Sequence, residues 1–120
     1  MKPYQDARVE GEKLAKQYAE LEKADQVDFY NGLEGYYSVL GHNKKQEDIA
    51  VLIEKNDHKI YVYQLDKGIS QDKAATISRE KGASDIDKIT FGRYQDKPIW
   101  EVKSGNQYYL VDFETGAVIQ

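Results

Sequence analysis

The sequence predicts an α+β protein made of two successive units, each a helix followed by short antiparallel strands. The order of elements carries this prediction. A polar helical stretch followed by Tyr-rich strands fills residues 5–65, and a second helix-plus-strands run fills residues 70–120. Strand segment Tyr36–Gly41 of the first half corresponds to Ile99–Ser104 of the second. Identity between the halves is weak, so the duplication rests on the order of elements.

The first helix is predicted over residues 4–24. An alternating spacing of four and three residues defines its inward stripe, which consists of Ala7, Gly11, Leu14, Tyr18 and Leu21. Pro3 lies just before the start, where its missing N–H does little harm. Because the stripe is narrow and contains Gly11, we expect the helix to rest flat against a sheet.

Short strands are predicted over residues 27–65. They are Val27–Tyr30, Tyr36–His42, Asp48–Lys55 and Lys59–Leu65, separated by segments rich in turn residues. Ile49–Ile53 is apolar on both faces, which predicts a central strand. A hairpin that joins the last two strands is the strongest local prediction. Within the last strand, Tyr61 and Tyr63 share one face and Val62 lies on the other.

The second unit is predicted to begin with a helix from about Gln71 to Lys81. Ser70 is a good N-cap, and Gly82 suits a left-handed C-cap. Strands follow at Ile86–Gln95, Ile99–Ser104, Gln107–Phe113 and Ala117–Ile119, with turns at Asp96-Lys97-Pro98, Gly105-Asn106 and Glu114-Thr115-Gly116. One helix across a curled antiparallel sheet, as predicted for each unit, is a cystatin-like arrangement.

Composition limits the classes of partner. Hydrophobic residues make up 40% of the 120 residues and charged residues 32%, as in a globular chain, and the net charge is −4. An acidic excess argues against binding to nucleic acid or to an anionic membrane. The absence of Cys excludes disulfides, thiolate catalysis and Cys-based zinc sites. The longest apolar run, Ile49–Ile53, is far shorter than the roughly 20 residues of a membrane-spanning helix.

No residue pattern indicates catalysis or metal binding. His42 and His58 lie in or beside predicted loops without the spacing of metal ligands. The Asp85-Ile86-Asp87 segment resembles a DxD motif, although a turn role fits it better. No nucleophile motif, dinucleotide fingerprint or phosphate-binding loop is present. We therefore predict a non-enzymatic protein that needs no cofactor.

The apolar content is weighted towards Tyr, with ten Tyr against three Phe and one Trp. Strand alternation directs one member of each adjacent Tyr pair outward, where an aromatic side chain can anchor a protein partner. The candidate interaction residues are Tyr36, Tyr37, Tyr61, Tyr63, Tyr108 and Tyr109. The alternative is that these side chains fill strands and pack under a helix or against the other half, an alternative favoured for Trp100 and for one Tyr of each pair.

Several segments of the chain resemble a known family. They are the N-terminal Ala/Glu/Lys helix, Tyr36–Gly41, Gly68–Ala74, Lys97–Val102 and Tyr108–Gly116. Together they look like the YpmB/TseB-like proteins of Bacillus-type Firmicutes. The second half is also similar to a PepSY domain, in which a helix opens with Ser/Thr-x-x-x-Ala and the last strand leads into Asp and then Thr-Gly. Pro-x-Trp-Glu-Val and Asp-Phe-x-Thr-Gly are the most specific parts.

The resemblance implies an N-terminal cystatin-like (TseB-like) unit over residues 1–66 and a C-terminal PepSY-like unit over residues 67–120. It implies an extracytoplasmic protein whose membrane anchor lies upstream of Met1. It also implies a role in cell-wall (peptidoglycan) elongation through binding of an elongation-class penicillin-binding protein, with no catalytic residue carried over. The alternatives are a PepSY-type peptidase-inhibitory or propeptide-like module, and a structural spacer without a specific partner.

Overall fold

The computed structural model describes the backbone of residues 3–119 and the side chains of residues 9–119. Within that range the chain forms two α-helices and two antiparallel β-sheets, one of four strands and one of three. This confirms the predicted α+β class. The chain divides into two compact units, residues 1–64 and residues 65–120. No helix among the described residues is long and apolar enough to cross a membrane.

The first unit consists of one helix and a four-stranded sheet. Its elements are α1 (Pro3–Tyr18), β1 (Leu21–Asn31), β2 (Gly35–Asn43), β3 (Asp48–Glu54) and β4 (Ile60–Gln64). Each strand pairs with the next along the chain, so β1 and β4 form the outer edges. Ile49–Ile53 lies in β3, and each of its residues is 1% exposed or less. The predicted central strand and the predicted β3–β4 hairpin are both confirmed.

Helix α1 packs on the sheet face formed by alternate residues of β1, β2 and β3. The buried side chains that meet there are Ala15, Leu21, Val27, Val39, Ile49, Val51 and Ile53. Gly11 approaches the sheet so closely that an added Cβ would lie 3.0 Å from the Cβ of Tyr37. This contact agrees with the expectation of a helix resting flat at Gly11. Tyr18, predicted to face inward, is instead 60% exposed.

The predicted helix over residues 4–24 is wrong at its C-terminal end. Glu20 adopts a left-handed backbone conformation with φ +57°, and the chain then enters β1. Leu21 is buried as a strand residue rather than as part of a helical stripe. The error has a physical cause, because Leu21 satisfies the spacing of a helix while two register shifts in β1 interrupt the alternation that marks a strand.

The second unit consists of a short 3₁₀ turn, one helix and a three-stranded sheet. Its elements are the 3₁₀ turn (Leu65–Lys67), α2 (Gln71–Glu80), β5 (Lys88–Tyr94), β6 (Lys97–Ser104) and β7 (Gln107–Asp112), with β6 in the centre. The predicted caps of α2 are confirmed. Ser70 Oγ accepts a hydrogen bond from Lys73 N–H at 3.0 Å, and Gly82 has φ +117° while its N–H donates to Arg79 C=O.

An aromatic cluster forms the centre of the second unit. Phe91 lies edge-to-face against Trp100 and Phe113, with ring centroids 4.9 Å and 5.2 Å apart. All three side chains are at most 2% exposed. Helix α2 supplies small residues to the interior, and Ala74 and Ser78 are fully buried. The prediction that Trp100 has a packing role is confirmed.

Two predicted features of the second unit are wrong. Lys97 and Pro98 belong to β6 rather than to a turn, and the turn before them is reduced to Gln95 and Asp96. Both turn residues have positive φ, 49° and 67°, as a tight two-residue hairpin requires. Residues 117–119 do not form a full strand; they meet β7 through one isolated bridge and backbone hydrogen bonds.

Candidate protein-interaction surface

The six candidate Tyr residues do not share one surface. Tyr36 is only 2% exposed, and its ring packs between those of Tyr30 and Tyr61, with centroids 6.4 Å and 6.3 Å away. Its hydroxyl donates a hydrogen bond to Glu34 Oε2 at 3.0 Å. Tyr36 therefore occupies a core position rather than an exposed one.

Tyr37 points to the opposite face of β2. Its ring lies edge-to-face against Phe29 at 5.8 Å, and its Cβ lies under Gly11 of α1. The side chain is half-buried. Neither member of the Tyr36-Tyr37 pair is therefore a fully exposed anchor, which agrees better with the strand-filling alternative.

The other four candidates lie on outer strands. Tyr61 and Tyr63 lie on edge strand β4, on the face away from α1, and both are half-buried. On β7, Tyr108 is 50% exposed and Tyr109 is half-buried near Gly82. These positions remain predictions as contact residues.

The most exposed large apolar side chain of the described residues was not among the candidates. Leu33 is 73% exposed at the turn that joins β1 and β2. Phe29, in the part of β1 that leads into this turn, is 38% exposed, and Lys55 Nζ lies 5.5 Å from the centre of its ring. An added Cβ at Gly35 would lie 2.8 Å from Phe29 Cζ, so Gly35 leaves room for the ring to lie flat. We call Phe29, Leu33 and Lys55 the hairpin tip.

A second apolar feature borders β4 on the side of α1. A groove of about 350 Å³ is lined by Tyr18, Ala19, Glu20, Asn43, Lys44, Lys45, Glu47, Ile49 and Val62. Its floor is apolar, and Val62 is 47% exposed because α1 lies over β1, β2 and β3 and leaves β4 uncovered. Charges of both signs occupy the rim. We call this feature the β4 groove.

A buried carboxyl group lies near the hairpin tip. Glu54 is 7% exposed at the end of β3. Burial raises the pKa of Glu54 above its usual value, and a hydrogen bond with Asp57 and the negative charge of Glu34 raise it further, while Lys59 lowers it. On β6, burial likewise raises the pKa of Glu101, against an opposing effect of Lys88.

The remaining polar residues of interest have structural partners. Asp87 Oδ2 accepts a hydrogen bond from Gly105 N–H at 2.9 Å, which agrees with a turn role for the Asp85-Ile86-Asp87 segment. Asp112 Oδ1 accepts from the N–H groups of Glu114 and Thr115, so the Asp-Phe-x-Thr-Gly segment forms a side-chain-stabilised turn.

Neither imidazole belongs to a metal-binding cluster among the described residues. His42 lies at the end of β2, with Nε2 3.9 Å from Glu22 Oε1, and His58 lies in the β3–β4 turn with φ +56°. Among residues with described side chains, no group of three or more His, Cys, Asp or Glu is placed to hold a metal ion. The pKa of Glu54 is raised, and a raised pKa can mark a catalytic acid or base. The neighbouring groups that shift this pKa are two carboxylates and one lysine.

The fold and these surfaces define a two-unit α+β protein that presents apolar side chains at a hairpin turn and beside a sheet edge. Comparison with known proteins places it in a family. The family model of the cell wall elongation regulator TseB-like domain matches residues 10–54, which include the whole hairpin turn. The probable cell wall elongation regulator TseB of Bacillus subtilis (strain 168) is 36% identical over 114 residues, covering 88% of this chain and 70% of that protein.

The chain therefore belongs to the TseB-like family of cell wall elongation regulators. A solved structure gives the same result. The YpmB protein from Bacillus subtilis superposes with a TM-score of 0.78 at 31% identity, over 100% of this chain and 96% of that one. The resemblance to YpmB/TseB-like proteins, first seen in short segments of sequence, is confirmed.

Proposed function

We propose that this protein is a non-enzymatic regulatory domain that acts in cell-wall elongation by binding an elongation-class penicillin-binding protein. Membership of a family of cell wall elongation regulators is the observation that carries the proposal. A regulator without chemistry of its own must act through contacts made by its exposed groups.

The hairpin tip is the surface best suited to hold a protein partner. The cation of Lys55 lies over the aromatic ring of Phe29, and the adjoining β1–β2 turn exposes the large aliphatic side chain of Leu33. Interface anchors are typically such groups, held in place before the partner arrives. Phe29 meets this condition because Tyr37 packs against its edge and Gly35 leaves space for its ring.

We also propose a fold family for each of the two units and a location for the protein. We assign residues 1–66 to a cystatin-like unit and residues 67–120 to a PepSY-like unit. The Ser70-to-Ala74 helix start and the Asp112 turn support the second assignment. The protein works on the outer face of the cell membrane, held by an anchor outside this chain, because the cell wall whose growth it regulates lies on that side.

Direct association tests the proposal. The purified chain is immobilised and the ectodomain of an elongation-class penicillin-binding protein is passed over it, with a division-class ectodomain as the matched control. We expect saturable binding to the first and much weaker binding to the second. Absence of association at high micromolar concentration, both for the purified chain and with a membrane anchor restored, would overturn the proposal.

A further inference from the structure

Three of the four sheet edges in residues 3–119 carry features that discourage pairing with another strand. β1 contains two register shifts and the charged residues Lys23 and Asp25. β5 carries Lys88 and Arg93. The outer edge of β7 is occupied by residues 117–119, which hydrogen-bond to it. Charges, bulges and covering segments are the usual means by which proteins protect sheet edges.

The fourth edge, β4, has none of these features. Its sequence is Ile-Tyr-Val-Tyr-Gln, without charge or proline, and it pairs with β3 without a register shift. Glu54 N–H bonds to Lys59 C=O at 2.8 Å, and hydrogen-bonding direction alternates along an antiparallel strand. The peptide groups of Ile60, Val62 and Gln64 therefore point away from β3. Among the described residues, Ile60 and Val62 make no backbone hydrogen bond outside the sheet, whereas Gln64 C=O is the acceptor that begins the 3₁₀ turn over Leu65–Lys67.

The strand is self-complementary about Val62. When a second β4 runs antiparallel with Val62 opposite Val62, Ile60 of one copy pairs with Gln64 of the other. The outward peptide groups of both strands then meet in register and form about four hydrogen bonds, because the C=O of each Gln64 already accepts a bond within the 3₁₀ turn. Tyr61 of one copy lies opposite Tyr63 of the other, which gives two aromatic cross-strand pairs, a favourable arrangement in sheets. Because the strand carries no charge, the symmetric pairing brings no like charges opposite each other.

Space for a second copy is present on the face of β4 that is directed towards α1. On the side of α1, the β4 groove leaves Val62 open, and Tyr18 at the rim is 60% exposed. Helix α1 lies over the other three strands, so it does not obstruct β4.

We propose that two copies of this chain associate through antiparallel pairing of their β4 strands, which joins two four-stranded sheets into one of eight strands. This surface is separate from the hairpin tip, and the proposal does not depend on the partner named above. A five-residue edge gives a small interface, so the dimer is weak and exchanges with monomer.

Sedimentation velocity of the full chain over a wide concentration range tests the proposal. We expect a reversible monomer–dimer equilibrium for the wild type. Val62→Lys should weaken dimerisation at least about tenfold, because it places a charge on the symmetry axis opposite its own copy. Val9→Lys is the matched control, since Val9 is 66% exposed on α1 and outside β4. Thermal unfolding of both variants establishes that they are folded.

The register is tested by a single cysteine, because the chain contains none. Val62→Cys should form a disulfide-linked dimer on mild oxidation, since facing Cα atoms in a hydrogen-bonded antiparallel pair are about 5.5 Å apart. Val9→Cys should not. A wild type that stays monomeric at all concentrations overturns the proposal. In that case the effect of Val62→Lys on binding to the penicillin-binding protein is also measured. Weaker binding would indicate that β4 pairs with a strand of that partner, and the homodimer would again be refuted.

Discussion

The indole Nε1–H of Trp100 donates a hydrogen bond to the backbone C=O of Ile69 at 3.0 Å. The backbone N–H of Ile69 in turn donates a hydrogen bond to Phe113 C=O at 2.8 Å. Two members of the aromatic cluster therefore hold the segment that leads into α2. This arrangement explains why the Pro-x-Trp and Asp-Phe segments are the most recognisable parts of the sequence, since both build the interior of the second unit.

Replacing Trp100 by Phe tests this arrangement. We expect Trp100→Phe to lower the free energy of unfolding by about 1–3 kcal/mol, because it leaves the partly buried carbonyl of Ile69 without its donor and also removes volume from the core. Urea denaturation followed by circular dichroism measures the change. Tyr108→Phe, at a half-exposed site on β7, is the control and should shift stability by less than about 0.5 kcal/mol.

Gly68 lies against the same cluster. An added Cβ would lie 2.3 Å from the carbonyl oxygen of Phe113 and 2.7 Å from its ring, both shorter than the contacts that Cβ atoms make in proteins. We therefore predict that Gly68→Ala costs about 1–3 kcal/mol of stability through overpacking. Differential scanning calorimetry gives the change in melting temperature. A variant as stable as the wild type would show that this segment packs less tightly.

The N-cap of α2 gives a prediction with a matched pair of variants. Ser70→Ala removes the oxygen that accepts from Lys73 N–H and should cost about 0.5–2 kcal/mol. Ser70→Asp keeps an acceptor at the same place and should retain most of the stability. Equal losses in both variants would contradict the capping role.

The raised pKa of Glu54 predicts a dependence of stability on pH. A carboxyl group whose pKa is higher in the folded state favours folding while it is protonated, and this contribution is lost as the pH rises through the folded-state pKa. Glu54→Gln is neutral at every pH, so it should be more stable than the wild type at about pH 7 and no more stable below about pH 4. Chemical denaturation at both pH values measures the difference.

The exposed carboxylate Glu114 supplies the control for that experiment. Glu114→Gln should leave stability within about 0.5 kcal/mol of the wild type at both pH values. If Glu54→Gln destabilises the protein at neutral pH, the ionised carboxylate is stabilised by its surroundings and the assigned direction is wrong.

Local patterns predicted the elements whose causes are local. The apolar run Ile49–Ile53 indicates a central strand because both faces of such a strand are covered, and Ser70 and Gly82 cap α2 through contacts within a few residues. Leu21 shows the opposite case. Its place in β1 depends on register shifts that only the pairing with β2 creates, so spacing alone assigned it to the helix.

The candidate surface was less predictable. Alternation along a strand predicts that Tyr36 and Tyr37 lie on opposite faces of the sheet. It does not indicate which face is covered, and Tyr36 is in fact buried. Leu33 was not predicted as a contact residue, because a single apolar residue in a turn has no periodic pattern. The exposure of Val62 depends on where α1 lies across the sheet, which no pattern within β4 reveals.

Binding by the hairpin tip is the central claim, and one measurement tests it most directly. The affinity of an elongation-class penicillin-binding protein ectodomain is compared for the wild type, Leu33→Asp and Val9→Asp, two substitutions at exposed apolar sites in the first unit. We predict that Leu33→Asp weakens binding at least about tenfold, since it places a charge among the anchor residues, while Val9→Asp leaves it unchanged. Equal affinity for all three proteins would contradict the account.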